Sequence, residues 1–185
     1  LAALASPLLA GEWEATSELN LTLTQNAYSD NWKGEEVGSL SWAVNSNSTA
    51  ENQLTPVVHT AASLKLAFGQ THSQELETRD WNAPVKSTDL IDFENVFRFT
   101  LGGFVDPFAS GRFESQFIDQ SDAEKTLSVN PIKLTESFGV AKTLIEEENR
   151  SWTARLGGGL RQYIDRNGVE EDPDDDGETD VSSDT

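Results

Sequence analysis

At 185 residues with a net charge of -19 and no cysteine, the chain has room for one domain and a poor match to several function classes. That charge argues against nucleic acid, since nothing would neutralise phosphates, and the missing thiols exclude disulfides, a cysteine nucleophile and a cysteine-based metal site. Hydrophobic residues make up 36%, below the roughly 45–50% of an ordinary globular chain, yet five Trp and nine Phe fall in periodic runs. Low hydropathy with regular amphipathic strands suits a barrel that keeps one face polar.

Residues 1–10 form a small apolar run, with Leu1, Leu4, Leu8 and Leu9 among alanines and Pro7. This pattern fits the back half of a secretory signal peptide cleaved after Ala10, and residues 1–10 are therefore set apart from the fold. A buried N-terminal helix or strand is the bland alternative.

From there the chain alternates. Leu19, Leu21 and Leu23 interleave with Glu18, Asn20, Thr22 and Thr24, and successive side chains of a strand point to opposite faces. Leu40, Trp42 and Val44 repeat the rhythm, as do Leu64, Leu66 and Phe68, then Ile91, Phe93, Phe97, Phe99 and Leu101. Strands are predicted at about 16–27, 37–46, 59–73, 89–102, 111–118, 133–146 and 151–165, most of them long enough for a tilted bilayer crossing. Links after the odd-numbered strands are long and the others shorter, with 47–58 as the exception. That alternation is the habit of barrels with long outer loops and short periplasmic turns.

The fold expected is all-β: an antiparallel up-and-down transmembrane β-barrel, incomplete, with about seven strands present in 11–165. An eighth strand at least is expected beyond Thr185. If the apolar face meets lipid, the other carries Glu18, Lys65, Asp92, Glu94, Arg98, Arg112, Glu114, Arg155 and Arg161, both signs mixed. Asn95 and Lys142 break the apolar face, each pointing to an interface position or a bulge. Trp13, Trp32, Trp42, Trp81 and Trp152 lie at or near strand ends, where an aromatic girdle would sit; ordinary packing is the alternative.

Chemistry is sparse. His59 and His72 occupy opposite ends of one strand, and neither a zinc-protease helix motif nor a nucleophile elbow occurs. Asp92 and Glu94 share a face but are better read as partners of Arg98 or Arg112 than as an acid–base pair. Gly157, Gly158 and Gly159 lie within a strand, so they read as sites of curvature or close approach. The acidic stretch 166–185 holds Asp172, Asp174 and Asp176 followed by Gly177, with Asp180 placed for a further oxygen. That spacing suits calcium, although Ser183 stands where a bidentate Glu would close the loop. The simpler reading is a solvated acidic loop, with calcium as the alternative. Calorimetric titration of a peptide covering 165–185 separates the two, since absence of roughly millimolar binding would remove calcium.

Segments 38–45, 64–69, 87–92, 104–117 and 130–139, around Trp42, Phe68, Asp89, Pro107, Phe113 and Gly139, carry a resemblance. They resemble a domain-of-unknown-function family of predicted outer-membrane barrels in Gram-negative bacteria, over about residues 30–165. The resemblance implies a signal peptide, a barrel in contact with outer-membrane lipid and no catalytic residues. It leads to the expectation of a non-enzymatic narrow channel or structural, surface-interaction barrel without cofactor. Two alternatives stand beside it: a barrel hydrolase with its catalytic groups in further strands, and a soluble periplasmic lipocalin-like barrel with the apolar face inward.

Overall fold

The computed structural model describes residues 12–28, 36–121, 125–147 and 150–166. They form an all-β antiparallel meander with no helix among them. Seven long strands make one sheet: β1 (Glu14–Asn26), β2 (Ser39–Thr55), β3 (Val58–Ser73), β4 (Val85–Phe99), β5 (Asp106–Ser115), β8 (Ile132–Glu147) and β9 (Arg150–Ile164). Each pairs only with its sequence neighbours, in the order β1-β2-β3-β4-β5-β8-β9. Between β5 and β8 a two-stranded ribbon interposes, β6 (Ile118–Asp119) and β7 (Leu127–Ser128). No pairing joins β1 to β9 among the described residues, so the sheet is open there.

Link lengths alternate without exception. At one end of the sheet the links are 56–57, 100–105 and 148–149; at the other they are 27–38, 74–84 and 116–131. The stretch 47–58, expected as a long link, is mostly strand: β2 continues to Thr55 and returns through Pro56 and Val57. Ser46–Gln53 shows no alternation because both faces are small and polar there. Pairing with β1 on one side and β3 on the other holds it extended. Similarly β5 begins at Asp106 rather than 111, with Pro107 near the strand start, where a missing N–H is tolerated.

The ribbon is tied down by side chains. Asp89 of β4 accepts the backbone N–H groups of Phe117 (2.6 Å) and Ile118 (3.0 Å), and Lys86 lies 3.2 Å from the same carboxylate. Asn130, fully buried, donates to Asp119 (2.6 Å) and Asp165 (2.9 Å) and accepts from the Arg166 backbone (3.1 Å). These bonds join β4, the ribbon and the chain leaving β9 at the long-link end. Phe117 completes an aromatic cluster, edge-on to Phe68, which also meets Trp42.

Candidate functional site

Register assigns every strand residue to one of two faces. Leu19, Leu21 and Leu23 share a face with Leu40, Trp42, Val44, Leu64, Leu66, Phe68, Ile91, Phe93, Phe97, Phe113, Phe138, Val140, Leu156 and Leu160. The other face carries Glu18, Lys65, Asp92, Glu94, Arg98, Arg112, Glu114, Lys133, Arg155 and Arg161. Asp89, Asn95, Glu136 and Lys142 are exceptions on the apolar side.

Glycines show which way the sheet bends. On the charged face a Cβ added at Gly157 would lie 2.5 Å from the Phe138 carbonyl oxygen, and one at Gly69 would lie 2.6 Å from that of Trp42. Gly139 is as crowded by Leu156 and Gly157. On the apolar face a Cβ at Gly111 or Gly158 would meet nothing within 4 Å. Backbones crowd on the inside of a bend and spread on the outside, so the charged face is the concave one. Gly157 and Gly159 thus serve close approach, and the neighbour they admit is the β8 backbone.

Beyond the patch that Phe117 covers at Phe68, the large side chains of the apolar face are left uncovered. Among the described residues the single buried hydrophobic side chain is Ala141, whereas Leu21, Leu156 and Phe138 are 73%, 78% and 63% exposed. The apolar band also crosses the sheet obliquely. The row through Gly158 runs by way of Phe138, Ala109, Phe97 and Thr60 to Asn52, then to the position before Glu14. Yet the leucines of β1 centre on Leu21. The offset of roughly eight residues over about six interstrand steps is about 26 Å along the strands for about 29 Å across, a tilt of roughly 40°.

Asn95 and Lys142, expected to break the apolar pattern, both find partners. Asn95 accepts a hydrogen bond from buried Thr60 (3.0 Å). Lys142 sits at the short-link end, beside a register shift, and its ammonium lies 3.4 Å from the Phe104 ring centroid and donates to the Phe104 carbonyl. Trp13 and Trp152 flank that same end, and Trp42 and Trp81 lie toward the other. Trp32 lies outside the described residues.

On the concave face the central feature is an arginine fork. Arg112 donates through Nε and Nη2 to the two oxygens of Asp92 (2.8 and 2.9 Å) and lies 3.3 Å from Glu114. Asp92 and Glu114 face each other directly in register, so the guanidinium offsets two like charges. Lys65 stands opposite Asp92 on the other side, and Glu94 stands opposite Arg112. Toward β1 the face turns acidic, with Glu14, Glu18 and Glu51, the last 3.7 Å from His59. Toward β9 it turns basic: Arg161 donates to Thr135 (3.2 Å), and Arg155 lies over the Phe108 ring.

His59 and His72 remain at opposite ends of β3. No group of three or more acidic or histidine side chains able to hold a metal occurs among the described residues. Asp172, Asp174, Asp176 and Asp180, the candidate calcium ligands, lie outside the described residues. Among the described residues the geometry offers a concave surface of paired charges.

An all-β meander with a charged concave face and a bare apolar convex one is the class that fold and site define. The chain belongs to the family described as Protein of unknown function (DUF3078), which matches residues 23–120, from Leu23 of β1 to just past β6. No curated protein and no solved structure matches it.

Proposed function

We propose that this protein is a transmembrane β-barrel of the bacterial outer membrane, with its charged face lining the interior and its apolar face against lipid. The observation that carries this reading is the direction of the bend. A lipocalin-like barrel encloses its apolar face, and here that face lies on the outside of the curve. The roughly 40° obliquity of the band is within the roughly 35–45° tilt of membrane barrels, and the alternating links follow the same plan.

The role is non-enzymatic. An interior walled by fork-paired charges suits a narrow channel or a filled structural barrel; the hydrolase alternative rests on catalytic groups in other strands. Links 27–38, 74–84 and 116–131 face outward, and the short links face the periplasm. Fractionation tests the placement: the full-length protein is expected in the outer membrane, resistant to carbonate extraction and heat-modifiable on gels. Recovery in the soluble periplasm would overturn it. Discrete conductance steps in planar bilayers would identify a channel, and their absence a filled interior.

A further inference from the structure

The charges of the concave face are sorted by strand. On β1 and β2 the concave positions carry Glu14, Glu18 and Glu51 and no lysine or arginine. On β3, β4 and β5 both signs occur together, and the fork of Arg112 with Asp92 and Glu114 joins three of them. From Lys133 to Ala141 on β8 and from Arg155 to Tyr163 on β9 the concave positions carry Lys133, Arg155 and Arg161 and no carboxylate. The sheet therefore has an acidic wall, a mixed middle and a basic wall. Neither Glu18 nor Arg155 has an ion pair among the described residues, and Arg155 rests over the Phe108 ring.

Glu18 and Arg155 also share a depth. The apolar band centres on Leu21 in β1 and on the row of Gly158 in β9, and both strands run from the short-link end. Glu18 comes three residues before Leu21 and Arg155 three before Gly158. At the tilt above, each lies about 8 Å from the band centre toward the short-link end. Closing the sheet sets the two walls across from each other. The middle of the β1–β2 wall and the middle of the β8–β9 wall are five strand steps apart. That is about 135° around a barrel of eight strands, about 180° for ten, about 150° for twelve and about 130° for fourteen. Strands that complete the barrel change its width and leave the opposition in place. Opposed charges inside low-dielectric walls hold a field across the opening.

We propose that the interior admits small zwitterionic solutes, of the class of amino acids and short peptides, with the ammonium turned toward Glu18 and the carboxylate toward Arg155. The proposal rests on the membrane-barrel reading above and selects its channel form. A simple anion is attracted by one wall and repelled by the other, and so is a simple cation. A solute that carries both charges is attracted by both walls in a single orientation. An uncharged solute gains from neither.

The test uses the full-length protein reconstituted in liposomes, with swelling in isosmotic solute as the readout. Glycylglycine is expected to enter about fivefold faster than erythritol, an uncharged solute of similar size, for two solvated charge contacts. Glu18→Gln and Arg155→Gln are each expected to bring the two rates to within about twofold. The exchange Glu18→Arg with Arg155→Glu reverses the field and is expected to restore the preference, which a merely structural role for either residue would not do. The heat-modifiable gel shift confirms that each variant is folded. Inserted, heat-modifiable protein that passes neither solute, or both at one rate, would overturn this proposal alone. So would a glycylglycine preference that survives both Glu18→Gln and Arg155→Gln. Recovery in the soluble fraction would overturn the membrane reading and this proposal with it.

Discussion

Gly157→Val is expected to destabilise the sheet strongly, while Gly158→Val, one residue along, leaves it intact. At Gly157 the new Cβ would fall 2.5 Å from the Phe138 carbonyl oxygen and 3.1 Å from Gly139 Cα. Both obstacles are backbone in a paired strand, so no side-chain rotation relieves them. Ordinary overpacking costs about 1–3 kcal/mol, and a clash with backbone belongs at or above the upper figure. At Gly158 there is open space, and valine favours a strand, so a change within about 0.5 kcal/mol is expected. Urea unfolding of the detergent-refolded variants measures both. Equal midpoints would mean that the bend is not where these glycines place it.

The second large effect concerns the fork. Arg112→Ala is expected to destabilise by about 2–3 kcal/mol, somewhat under the 3–5 kcal/mol of a fully buried pair because the guanidinium is partly solvated. Its side chain is 39% exposed against 9% for Asp92, so the larger share of the loss is the stranded Asp92 carboxylate. Removing that charge as well should return much of the stability. A double-mutant cycle with Asp92→Asn therefore predicts strong coupling, and additive losses would show that the fork is incidental. Arg112→Lys should recover only part, because an ammonium cannot make both bonds of the fork.

The strands most visible in the sequence were those with one face apolar throughout. Leu19, Leu21 and Leu23 are outward on β1, and the same two-residue rhythm located β3, β4 and β9. Boundaries were lost where both faces share one character. Ser46, Ser48 and Asn52 on the convex face and Asn47, Thr49 and Glu51 on the concave one give no contrast, which hid eight or so residues of β2. The start of β4 was hidden differently. Gly69 and Gln70 pair with Thr88 and Lys86, so Ser87 is an extra residue that shifts the phase of the alternation.

The site was partly legible for the same reason. Parity alone grouped Asp92, Glu94, Arg112 and Glu114, and the choice of Arg112 over Arg98 as the fork needed coordinates. The side of the bend was not written in parity at all. It follows from which glycines are crowded.

The strand directions have a practical consequence. In a strictly alternating meander of seven, β1 and β9 point the same way, so β1 starts at the short-link end and β9 finishes at the long-link end. With the sheet spanning the outer membrane as proposed, an epitope placed ahead of Trp13 and another placed after Arg166 would thus report from opposite sides of that membrane. On intact cells only the second should be stained, and the two labels together amount to a compass for the whole molecule.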